Sequence, residues 1–174
     1  MVYQVRFFVI LLLAGCSTSF YSPQNYSIYD RNLADFTTSG EVSVISVNEA
    51  EPPIVITSNG TKYEAELAAL SEKIAQQVSR EIHENSTIDG NTAKSLYIQL
   101  ENAQFSRSQQ NMQLQIQLLL TGDRGFLHTM NLDHLKVKLK GQPTERAFDE
   151  LLALSVKAIL TDSYVLRYLH ENSF

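Results

Sequence analysis

Cys16 is the only thiol in this chain of 174 residues and the most reactive side chain it offers. A lone cysteine has no partner for an intramolecular disulfide, so its chemistry is that of a single nucleophilic sulfur. The remaining candidates are dispersed. His83 and His170 have no second histidine at ligand spacing, whereas His128, Asp133 and His134 form a local cluster of metal-ligating types. Metal sites draw on three or four aimed ligands, which that cluster does not supply by itself, so no metal and no cofactor is expected. Serine is abundant, but no Gly-x-Ser-x-Gly elbow presents one as a nucleophile. Glu49, Glu51 and Glu101 are scattered acids, and Gly122-Asp123-Arg124-Gly125 lacks the Gly-Lys-Ser/Thr ending of a phosphate loop. The chain therefore reads as non-enzymatic, with no catalytic residues.

What precedes Cys16 explains the thiol. Arg6 is the one formal side-chain charge before an unbroken apolar run, Phe7-Phe8-Val9-Ile10-Leu11-Leu12-Leu13, which Ala14-Gly15 closes with two small residues. That is the three-part grammar of a secretory signal peptide, and the run is far short of the roughly 20 apolar residues of a membrane-spanning helix. Leu13-Ala14-Gly15-Cys16 resembles the lipobox of bacterial lipoproteins at all four positions. The resemblance implies a signal peptide over residues 1–15, a diacylglycerol on the Cys16 sulfur, and a further acyl chain such as palmitate on its new amine. Each buried acyl methylene contributes about 0.8 kcal/mol, so three chains hold a protein where one does so only marginally. Ser17 stands where an aspartate would signal retention in the inner membrane. It implies instead lipid anchoring on the periplasmic face of the outer membrane.

Composition narrows the partners. The formal net charge is −5, and loss of Arg6 with the leader makes it one unit more negative. Nucleic acid and anionic headgroups select clustered Lys and Arg, so neither is an expected partner. Lys136-Val137-Lys138-Leu139-Lys140 alternates in the manner of a strand's wet face.

The elements that must carry these residues follow from periodicity. Residues 16–40 are polar and aperiodic, with Tyr21, Tyr26 and Tyr29, and read as a lipid-anchored tether spanning roughly 25–30 Å as a coil. Residues 41–174 are the periplasmic domain. Residues 41–47 are β-branched and predict a first strand, residues 54–57 a second, with Asn59-Gly60 as a turn. Leu67, Leu70, Ile74, Val78 and Ile82 place one apolar stripe on a helix over residues 63–84, ended by residues 85–91. Residues 95–105 return to a period of two. Residues 112–118 alternate strictly, setting Leu114 and Ile116 opposite a row of Gln113, Gln115 and Gln117. From residue 126 to 139 the apolar parity flips near Asp133-His134, which predicts a bulge or break there. Pro143 opens a second long helix with Phe148 and Leu152 on its apolar face, and Thr161-Asp162-Ser163 breaks it with a new N-cap before a short last helix. The expectation is a single small α+β domain with a mostly antiparallel sheet, order β-(β)-α-β-β-β-α-α, and two long helices packed on one face.

That order, the lipobox and the C-terminal stretch Ala158-Ile159-Leu160-Thr161-Asp162, followed by Val165-Leu166-Arg167-Tyr168-Leu169-His170-Glu171-Asn172, resemble the YajG-type outer-membrane lipoproteins of Gram-negative bacteria. The resemblance implies an α/β domain on the outer membrane and supplies no catalytic residues. Layouts of this kind include lipoproteins that activate peptidoglycan synthases and auxiliary lipoproteins of transport systems. Two functional expectations stand side by side. One is a non-enzymatic accessory or scaffold protein for an envelope assembly, its envelope partner meeting the glutamine face or the tether. The other is a small-ligand or lipid carrier, with a pocket between sheet and helices lined by Leu114, Ile116, Phe148 and Leu152.

Overall fold

A computed structural model describes residues 18–24, 33, 35–49, 54–58 and 61–171, so Cys16, Ser17, Tyr26 and Tyr29 lie outside the described residues. In chain order the elements are β1 (Thr18–Phe20), β2 (Phe36–Thr38), β3 (Val42–Ser46), β4 (Ile54–Ser58), β5 (Thr61–Ala65), α1 (Leu67–Asn85), β6 (Ser86–Ile88), β7 (Lys94–Arg107), β8 (Asn111–Gly122), β9 (Leu127–Lys138), α2 (Thr144–Thr161) and α3 (Ser163–His170). The fold is α+β.

The alternating runs form the main sheet. β7, β8 and β9 are an antiparallel meander, and β3 joins its edge to give the order β3-β7-β8-β9. β3 runs parallel to β7, because α1 lies between them in sequence and carries the chain back to the same end. The other strands of the described residues form two smaller sheets, β1-β5-β4 and β2-β6. The parity flip near Asp133-His134 is a β-bulge: Leu114 pairs with Leu135 while Ile116 pairs with Leu132, which leaves an extra residue on β9. A second irregularity falls at Glu101, between the Leu100 and Asn102 pairs of β7.

The helices cover one face. α1 packs over β3 and β7, α2 over β8 and β9, and the two touch side by side. Leu70, Ile74 and Val78 of α1 meet Leu96, Ile98, Leu114, Leu118 and Leu120 of the sheet in one fully buried cluster with Phe148 and Leu151 of α2. Close packing of this kind is the main stabilising term of a small domain. Ser71 fits into that apolar layer because its hydroxyl donates to the Ile98 carbonyl at 3.2 Å and accepts from Ser46 Oγ at 2.9 Å.

Some elements differ from the sequence expectation. The helix expected from residue 63 starts at Leu67, and Tyr63 belongs to β5, buried with Ala65. Tyr63 is four residues before Leu67 and so continues the helical stripe by spacing alone. The antiparallel pairing of β5 with β4, Ser58 opposite Thr61, takes it into a strand; Asn59 and Gly60 themselves lie outside the described residues. Residues 86–88, expected as loop, form β6 and pair in parallel with β2. The segment read as a tether carries β1 and β2, and β1 pairs in parallel with β5. Tyr21 follows β1 and is 2% exposed, its ring 4.8 Å from that of Phe148. Its hydroxyl donates to Asp149 Oδ1 at 2.6 Å, and the backbone N–H of Gln24 donates to the same oxygen at 2.9 Å.

Candidate functional site

Because side chains alternate along a strand, the uncovered face of the main sheet follows from the same register that builds the core. Gln113 and Gln115 are exposed and Gln117 half-buried, all three on that open face as their alternation predicts. Gln113 pairs across to Ser106 and Lys136, Gln115 to Gln104, and Gln117 to Asn102 and Asn131. This half of the face is a polar lattice.

The other half sets apolar side chains among the polar ones. One continuous cross-strand row reads Ile45, Tyr97, Thr121 and Leu127, and the next places Leu119 between Gln99 and Thr129. Ile45 is 41% exposed, Val47 42% and Leu127 69%. The sequence carried a sign of this that the glutamine row obscured. Leu119 sits on the wet parity of β8, inside Leu118-Leu119-Leu120, where strict alternation calls for a polar residue. An exposed apolar area rimmed by polar side chains is the usual make-up of a protein contact surface.

The end of the sheet beside that apolar row is fixed by a polar network. Tyr168 of α3 stacks on Phe126 at 4.2 Å, and its hydroxyl donates to the Ser95 carbonyl at 2.7 Å while accepting from the Asp123 N–H at 3.1 Å. Asp123 Oδ2 accepts from the Ser95 N–H at 2.6 Å. Gly122 has no alternative here, since a Cβ would stand 2.5 Å from the Tyr168 hydroxyl. Lys94 is 6% exposed, and its ammonium donates to the carbonyls of Tyr168, Leu169 (3.2 Å) and Glu171 at the C-terminal end of α3. A cation there satisfies the carbonyls that a helix end leaves over. Burial lowers the Lys94 pKa from its ordinary value and the Arg124 charge lowers it further, while Glu171 opposes. Burial raises that of Tyr168. The network locks α3 to the strand ends; each of its groups has a structural partner.

The candidate ligands and acids are spread over the surface. His83 lies in the last turn of α1, His170 in the last turn of α3, and Asp133 and His134 are exposed at the β9 bulge. His128 stacks on Tyr164 at 5.0 Å, with Nε2 3.3 Å from Asp162 Oδ1. That oxygen also caps α3, accepting from the N–H groups of Tyr164 (2.9 Å) and Val165 (3.1 Å) as the sequence predicts. Among the described residues no group of three or more His, Cys, Asp or Glu is placed to hold a metal ion. Glu49 and Glu101 are exposed, and Glu51 lies outside the described residues. Leu114, Ile116, Phe148 and Leu152 are packed inside the core, 0%, 4%, 0% and 2% exposed, with Tyr21, Tyr63 and Phe105 around the Phe148 ring. No described helix is long and apolar enough to cross a membrane.

No family model matches the chain, and no curated protein matches it. Among solved structures it is similar to a Xanthomonas campestris protein described under the family DUF330, with 10% sequence identity, a TM-score of 0.41, and coverage of 87% of this chain and 97% of that one.

Proposed function

We propose that this protein is a non-enzymatic accessory lipoprotein, YajG-like in kind, held on the periplasmic face of the outer membrane through Cys16 and presenting its open sheet face to an envelope assembly. The observation that supports the reading is the asymmetry of the main sheet. One face is closed by two helices, and the other exposes a polar lattice that grades into an apolar row ending at Ile45 and Leu127. A rigid sheet holds such a surface without ordering cost on binding, which favours a stable contact. The carrier reading needs space where Phe148 and its ring of aromatics stand, and those side chains fill it.

Two measurements test the proposal. Palmitate labelling of the wild type and Cys16→Ala, followed by membrane fractionation, reports the anchor: the wild type takes label and sediments with outer membrane, and the variant does neither. Photocrosslinking from Gln113, Gln115 and Gln117, with mass spectrometry of the product, reports the partner. Capture of one envelope protein from this face is the expected result. Equal label on the variant, or capture of lipid alone, defeats the reading.

A further inference from the structure

The outer edge of β3 and the first turns of α1 leave a groove between them of about 350 Å³, with Val44 and Ser46 on the strand side and Ala68, Glu72 and Ala75 on the helix side. Its floor follows from backbone parity. The Glu41 carbonyl accepts from the Lys94 N–H and the Val47 N–H donates to the Ile98 carbonyl, so the odd-numbered peptide groups of this strand face β7. Peptide groups alternate along a strand, and those of Val44 and Ser46 therefore face the groove. β3 ends its sheet, and among the described residues no strand pairs with that edge.

We infer that this groove takes an extended, basic segment of the partner protein as an added strand beside β3. The inference rests on the accessory reading above and names its partner's chemistry. Strand addition is how an exposed sheet edge recognises a peptide: ladder bonds hold the backbone and pockets read alternate side chains. The helix wall suits it. Ala68 and Ala75 are seven residues apart, about 10.5 Å along the axis, which matches roughly three residues of an extended chain. Small side chains at both positions leave room for a backbone beside the outer edge of β3, under the flank of the helix. Glu72 is exposed, and among the described residues lining the groove it is the one ionisable group, so charge complementarity selects Lys or Arg. On the opposite side an added strand would continue the exposed apolar row at Ile45 and Val47, which favours β-branched residues at alternate positions.

The far edge of the same sheet is built otherwise. β9 carries exposed Asp133, His134, Lys136 and Lys138 and the bulge, the devices that keep an edge from pairing. β3 has neither a charge nor a bulge.

The test uses the full chain in detergent and a fluorescent eight-residue peptide alternating valine and lysine, with a second peptide N-methylated at alternate amides. Fluorescence anisotropy reads affinity, and amide hydrogen exchange reads Val44 and Ser46. The first peptide should bind and slow exchange at those two amides, the methylated peptide should not bind, and Glu72→Lys should weaken binding about tenfold. Glu72 is exposed and accepts a hydrogen bond from Gln76 on the helix surface, so the variant should fold; Ala68→Leu, which narrows the groove, is the second probe and should also abolish binding. Binding indifferent to N-methylation and to both variants overturns the inference, as does no binding at all. Slow exchange at Val44 and Ser46 without peptide shows that another part of this chain covers the groove. A concentration-dependent dimer lost in Val44→Pro shows that a second copy does. Either result also overturns it. Crosslinked capture of an envelope protein from the glutamine face, with no peptide binding here, sinks the groove and leaves the accessory reading standing.

Discussion

The two faces of the four-stranded sheet are made from the same strands and differ by one residue in register. Leu118 and Leu120 are fully buried beneath the helices, and Leu119 between them is half-buried on the opposite face. The closed face carries the core of the domain, and the open face together with the β3 edge is where the proposed contacts fall. Neighbouring positions should therefore respond in opposite ways, and an open-face substitution that unfolds the protein would contradict this division.

The largest effect is expected at Phe148. Its ring lies 4.8 Å from Tyr21, 5.6 Å from Tyr63 and 4.9 Å from Phe105, so it joins the N-terminal segment, the small sheet and the main sheet. Phe148→Ala should cost about 3–5 kcal/mol, read as a shift of the urea midpoint at unchanged slope. A loss under about 1 kcal/mol would mean that the closed face is not the seat of stability.

How much of this arrangement was legible depended on how many periods each element spans. Twelve residues of β8 repeat their alternation often enough to assign both faces, and the parity flip at Asp133-His134 marked the β9 bulge. The bulge at Glu101 left a fainter mark, because small Ala103 follows it and the new parity is shown by a large apolar residue only at Phe105, near the end of the strand. Three residues of β1, β2 or β6 span barely one period and carry no readable pattern, so their pairing partners decide them. Lys94 looks like any surface lysine in sequence, yet the carbonyl it caps on Tyr168 is 74 residues away. The β3 groove was equally hidden. That β3 is an edge depends on a parallel pairing set up by α1, which no local window contains.

Tyr21 ties the N-terminal segment to the closed side through Phe148 and Asp149. Burial, and then its bond to Asp149, raise its pKa far above the ordinary phenol value. A group whose folded pKa is raised binds its proton more tightly when folded, so its contribution is complete below the ordinary value of 10 and is lost as pH rises beyond it. Tyr21→Phe should cost about 1–3 kcal/mol at pH 7, since a buried carboxylate loses a donor. It should also flatten part of the fall in melting temperature above about pH 10, the ordinary tyrosine value, to which Tyr168 contributes as well. Parallel curves for wild type and variant would place Tyr21 outside the folded core.

A smaller effect is expected where α3 begins. Asp162 accepts two backbone N–H groups with one oxygen, and Asp162→Ala should cost about 1 kcal/mol by thermal melting, while Asp162→Asn keeps most of the cap. Equal losses in the two variants would assign the effect to the contact with His128, 3.3 Å from the same oxygen, and not to the helix end.

Leu127 should give the smallest change in stability and the clearest separation of the two faces. It stands at the end of the apolar row, 69% exposed, paired across β8 with Thr121. Leu127→Gln removes little buried area, so the urea midpoint should stay within about 0.5 kcal/mol of wild type. Its neighbour Phe126, 4% exposed and stacked on Tyr168, should lose about 3–5 kcal/mol as Phe126→Ala. The same Leu127→Gln protein should show reduced crosslinking from the open face, because the exposed apolar row is where a partner gains most by excluding water. Unchanged stability with unchanged capture would confine the partner contact to the glutamine half of the face. A stability loss matching that of Phe126→Ala would mean that both faces carry the fold, and the division of labour between adjacent residues would fall.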